Sequence, residues 1–73
     1  MLEENVIVAS SSIIGGSANI KKGVWVGPGS IVSNNITIGS KARIGIGSNV
    51  IKNIPENSTA FGNPSRVIKS GSN

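Results

Sequence analysis

The side chains that could do chemistry in this 73-residue chain are few, and most of the charged ones are basic. It has no histidine and no cysteine, so the commonest general base, the commonest metal ligand and all thiol chemistry are missing. Its carboxylates are Glu3 and Glu4 near the chain start and Glu56 near the far end. Ser10-Ser11-Ser12 offers hydroxyls but no base to activate one, and reads as corner and lining serines. What remains is cationic: Lys21, Lys22, Lys41, Arg43, Lys52, Arg66 and Lys69, for a net charge of +4. These are spread along the chain. With one Trp, one Phe and no Tyr, aromatics for base stacking are nearly absent. The pattern excludes a nucleic-acid binder and leaves a solvated or anion-facing surface.

What must position these groups is written as a six-residue beat. Leu2, Val8, Ile14, Ile20, Val26, Val32, Ile38, Ile44 and Val50 are all branched aliphatics, without a slip. Such a run in phase by chance is on the order of one in 10⁵. A period of six fits neither a helix nor an alternating strand and is that of a parallel β-helix. Four residues after each aliphatic comes a small or β-branched companion: Val6, Ser12, Ala18, Val24, Ser30, Ile36, Ala42, Ser48. Glycine often follows the aliphatic, at Gly15, Gly27, Gly39 and Gly45, where it would supply the unusual backbone angles of a corner. The expected fold is therefore all-β: about three triangular coils over residues 1–54, then a C-terminal loop and short tail over 55–73. Trp25, just before an inward aliphatic, should point outward. Asn34 and Asn35 fall at turn positions, where left-handed angles are cheap for Asn.

The beat breaks after Val50, since position 56 should be aliphatic and is Glu56. Residues 55–66, with Pro55, Gly62 and Pro64, read as an ordered loop; Val67-Ile68-Lys69 could add a short strand; residues 70–73 should fray. Three coils are close to the minimum for a solenoid, and both ends leave strand edges open. The expectation is a chain that is not a lone monomer, either an oligomer or the C-terminal piece of something longer. The acidic start, Met1-Leu2-Glu3-Glu4, is no secretory signal, no segment is long enough to span a membrane, and the cytoplasm is the default.

Val24-Trp25-Val26-Gly27, Ile36-Thr37-Ile38-Gly39, the run from Ile44 through Gly45-Ile46-Gly47 to Lys52-Asn53-Ile54-Pro55, and Gly62-Asn63-Pro64-Ser65-Arg66 follow one order. In that order the sequence resembles the C-terminal half of the hexapeptide-repeat acyltransferases, nearest the galactoside and maltose O-acetyltransferases with their xenobiotic and polysaccharide relatives, and similar to the sialic-acid and amino-sugar acetyltransferases. The hexad is shared across the superfamily; the tail, Lys-x-Ile-Pro then Gly-Asn-Pro-x-Arg, is far more specific. The resemblance implies a left-handed β-helix, an exception to the usual crossover hand. It implies a homotrimer holding acetyl-CoA between neighbouring prisms, and a small-molecule sugar or amine as acceptor. Gly27, Gly45 and Gly47 match glycines along the pantetheine arm. Lys52 and Arg66 match basic residues near the CoA phosphates, where two cations facing an anion make chemical sense. Trp25 matches a tryptophan near the thioester.

The departures bear on activity. Ile46 stands where the family has a small residue, and Ser65 where it has alanine. The family's general-base histidine, upstream of the matched region, has no counterpart, so no catalytic residue is assigned. Nor is a metal site, since the γ-class carbonic anhydrases of this fold need three His ligands. Two readings result: an acetyltransferase in truncated or inactive form that keeps the CoA-binding half, or a structural, oligomerising β-solenoid without chemistry.

Overall fold

The computed structural model describes residues 2–69, so the tail end at 70–73 lies outside the described residues. The chain is all-β, a parallel solenoid of about three turns consistent with the left-handed β-helix. One wall stacks β1 (Ile7–Val8), β4 (Trp25–Val26), β7 (Arg43–Ile44), β9 (Thr59–Gly62) and β10 (Ser65–Lys69). A second stacks β2 (Ile13–Ile14), β5 (Ile31–Val32) and β8 (Asn49–Val50), and the third β3 (Asn19–Ile20) and β6 (Thr37–Ile38). Val8 pairs with Val26 and Val26 with Ile44, so the hexad aliphatics stand one above another.

Along each two-residue strand the first side chain points out and the second in, which is why the beat is six and not two. Ile20, Val26, Val32, Ile38, Ile44 and Val50 are buried, with Val24, Ala18, Ala42 and Ile36 filling the spaces between. The first coil seals less well: Val8 and Ile14 are half-buried and Leu2 is 53% exposed. At one corner the companions are serines. Ser12 Oγ donates to the Gly27 carbonyl at 2.9 Å, and Ser30 Oγ and Ser48 Oγ both donate to the Gly45 carbonyl, at 3.0 and 2.8 Å. This column satisfies hydroxyls that burial would otherwise penalise.

The structure moves the glycine argument. Positive φ falls at turn positions held by Asn5, Ser11, Gly23, Gly29, Asn35, Lys41, Gly47 and Asn57. Of the two asparagines expected at turn positions, Asn35 sits in the left-handed region and Asn34 does not. Gly15, Gly27, Gly39 and Gly45, the glycines after the aliphatics, do not; they are needed for space. A Cβ on Gly15 would lie 2.6 Å from the Asn34 amide nitrogen, and one on Gly27 2.9 Å from the Ile44 carbonyl oxygen.

The loop expected over residues 55–66 is also corrected. Trp25 pairs with Arg43, 18 residues on, but Arg43 pairs with Thr59, only 16 on. Ile38 likewise bridges to Ile54. The stack therefore continues through a turn two residues shorter. Ile54, 4% exposed, takes the inward place sought at position 56, and Ala60, fully buried, takes the next. Asn53 repairs the shortened edge, its Oδ1 accepting the Thr37 N–H at 2.8 Å. Asn53→Ala is expected to cost about 1 kcal/mol, read as a lower urea midpoint at unchanged slope. After Gly62 the chain reverses, and β10 runs back antiparallel along β9.

Candidate functional site

The reversal creates a groove. β10 returns past the end of the shortened turn, and between them lies a cleft of about 440 Å³ lined by Ile51, Lys52, Asn53, Ile54, Pro64, Ser65, Arg66 and Val67. Lys52 and Arg66, distant in sequence, thus meet at one cleft, and both are exposed. Neither forms an ion pair among the described residues. The lining is aliphatic apart from Lys52, Asn53, Ser65 and Arg66. Ser65 lines the same cleft, with its hydroxyl buried and without a hydrogen-bond partner among the described residues. A pair of cations with a spare hydroxyl beside an aliphatic lining suits an anionic group carried on an apolar or planar body.

The other sequence-selected residues lie elsewhere. Trp25 points outward as expected, 38% exposed, on the wall of β1, β4 and β7. It lines a shallow depression with Ile7, Gly23 and Arg43, separate from the Lys52–Arg66 cleft. Gly27 and Gly45 belong to one corner column, and both are required by packing. Gly27 lies under the backbone of Ile44–Ile46, and a Cβ on Gly45 would strike the Phe61 ring, with Cγ at 3.2 Å. Gly47 differs: it has φ +67° and nothing within 4 Å of the space a Cβ would fill. Beside it Ile46 is 65% exposed and Phe61 51%, making an apolar lip on the strip next to the glycines. Gly47→Ala is expected to cost about 1 kcal/mol, from its backbone angle alone, seen as a modest fall in thermal midpoint.

Phe61 and Ser65 are residues that sequence reasoning undervalued. Phe61 meets Gly45 only because the last turn is shorter by two, so hexad counting put it out of phase. Ser65 was visible only as a departure from alanine.

No protein-family model matches the sequence, and no curated protein does. Solved structures do. A serine O-acetyltransferase from Brucella melitensis is 34% identical over 93% of this chain and 29% of its own, with a TM-score of 0.85. A galactoside acetyltransferase solved with coenzyme A is 30% identical over 93% of this chain and 43% of its own, with a TM-score of 0.88. A maltose O-acetyltransferase from Clostridium difficile 630 is 48% identical over 77% of this chain and 30% of its own, with a TM-score of 0.73. The chain thus spans less than half the length of each. An aliphatic beat of six, parallel walls meeting at close-packed glycine corners and these likenesses make one assignment: the chain belongs to the hexapeptide-repeat acyltransferase superfamily.

Proposed function

We propose that this chain binds the acyl donor of an acetyl-CoA-dependent acetyltransferase, through the C-terminal segment, described as far as Lys69, and the last coil beside it. The observation that carries the reading is the meeting of Lys52 and Arg66 at one cleft. Two unpaired cations beside a buried, unpartnered hydroxyl are suited to the phosphates of CoA, with the guanidinium gripping two oxygens and the ammonium adding a point charge. The open space at Gly47 would let a pantetheine arm lie against the corner, with Gly27 and Gly45 keeping that corner narrow. The galactoside relative holds coenzyme A, which supports the same donor here. The acceptor we propose is a sugar or small-molecule hydroxyl or amine, and the location the cytoplasm. Among the described residues no helix is long and apolar enough to cross a membrane.

The partner arrangement we propose is a homotrimer, supported by exposed aliphatics on flat walls, Ile13 and Ile31 in register among them. With no histidine in the sequence, nothing here takes the acceptor's proton, so the claim for this chain is donor binding and not turnover. Calorimetric titration with CoA tests it. Saturable binding below millimolar concentration is expected, and no heat at millimolar CoA overturns the reading. One observation favours the alternative of a purely structural solenoid: Gly27 and Gly45 are already explained by coil packing. That alternative expects an assembly state indifferent to CoA.

A further inference from the structure

The wall of β1, β4 and β7 carries a second cluster, separate from the Lys52–Arg66 cleft. Pairing in the register Ile7↔Trp25↔Arg43 stacks these three outward side chains on successive strands. Neighbouring strands lie about 4.8 Å apart, so indole and guanidinium are set side by side. Gly23 has no side chain to fill the space next to them, and the resulting depression is about 380 Å³. The Lys41 side chain borders it, with Cγ 3.3 Å from where a Gly23 Cβ would sit. Thr59 follows Arg43 in the same register, and Asn57 follows Lys41 along the corner.

Among the described residues neither Arg43 nor Lys41 forms an ion pair; the one pair, Lys21 with Glu3 at 3.5 Å, lies outside the depression. Glu4 and Glu56 precede Asn5 and Asn57 at the turns and do not line the depression. The wall therefore shows one aromatic plate, two uncompensated cations beside it, a third at Lys69 in register with Thr59, and uncharged hydrogen-bonding groups.

We infer that this wall binds a carboxylate-bearing sugar. The apolar face of the ring lies on Trp25, its carboxylate takes the Arg43 fork with Lys41 in support, and Thr59 and Asn57 meet ring hydroxyls. A neutral sugar would leave both cations idle. A nucleic acid would need successive aromatic plates, and the chain has one Trp and one Phe, with Phe61 against the Gly45 corner. Calling this sugar the acceptor rests on the acyltransferase reading above; its binding does not.

Trp25 is the sole tryptophan, so intrinsic fluorescence reports this wall alone. The full chain is titrated with an oligogalacturonate and with its methyl ester, which keeps the rings and removes the charge. The acid is expected to shift Trp25 emission saturably and to bind about tenfold tighter than the ester, with affinity falling as salt rises. Arg43→Gln should bring acid most of the way down to the ester's affinity, with Lys41 holding the remainder, without moving the thermal midpoint. The inference is overturned if acid and ester titrate alike, if neither shifts the emission, or if Arg43→Gln leaves the acid unaffected. Calorimetry with CoA separates the two readings. Uronate binding without CoA binding keeps this site and removes the word acceptor, whereas CoA binding without uronate binding overturns this site and leaves the donor reading standing.

Discussion

CoA affinity is expected to fall about tenfold for Lys52→Ala and about tenfold for Arg66→Ala, each the loss of one charge-assisted contact to phosphate. The two side chains approach one cleft from opposite sides, Lys52 from the shortened turn and Arg66 from the returning β10. They line one cleft from different elements. The double variant should therefore bind about a hundredfold more weakly if each cation holds its own phosphate. A loss no larger than either single variant's would mean that both grip the same oxygens. Arg66→Lys separates charge from shape: it keeps the positive charge and loses the two-pronged grip, so it should recover only part of the affinity. Thermal midpoints should hardly move, because both residues are exposed and form no ion pair among the described residues. Equal CoA affinity across all four variants would remove the cleft from the donor site.

Gly39→Ala is expected to destabilise the chain by about 3 kcal/mol. Its Cβ would run into the backbone of the next turn, meeting the Glu56 amide nitrogen and lying 2.6 Å from the Glu56 Cα and 2.8 Å from the Pro55 carbonyl carbon. Backbone cannot rotate aside as a side chain can, so relief requires parting two turns. That parting would strain the Gly39 N–H to Ile54 carbonyl bond, now 2.8 Å, and unseat Ile54 from the core. For a domain of this size the thermal midpoint should drop by roughly 15 °C. Gly47→Ala provides the contrast, since it changes a glycine of the same solenoid with open space around it. If the two variants melt together, close coil packing is not what fixes glycine at position 39.

The solenoid was legible because its signal is a period. Nine aliphatics in phase name the inward positions, and the structure buries those from Ile20 to Val50. Trp25 facing outward and Asn35 in the left-handed region followed from the same count. Two things were not legible. One was the reason for the glycines: a sequence shows that a side chain is missing, not whether an angle or a neighbour forbids it. The other was the phase of the chain after Val50, although the short strand expected at Val67-Ile68-Lys69 is present as the end of β10. A turn shortened by two shifts the phase without destroying the fold, so Glu56 looked like an exit when Ile54 had already taken the inward place. That shift hid the encounter of Phe61 with Gly45, and with it one side of the corner strip. The meeting of Lys52 and Arg66 depends on a chain reversal at Asn63-Pro64, which no hexad count contains.

The serine column has a consequence for how the chain finds its thread. To the aliphatics, a circuit of two or four sides is as good as one of three, since pairing each residue with the one 12 or 24 places on would still set Val and Ile on one another. Ser12, Ser30 and Ser48 recur only once per circuit, each bonded to a glycine carbonyl at the same edge. A circuit of two or four sides would set Ser12 against Val24 or Ile36 in place of Ser30, breaking the column of hydroxyls that now faces the Gly27 and Gly45 carbonyls. The polar seam thus acts as a keyway for the circuit length, matching serine to serine only when each turn closes after 18 residues.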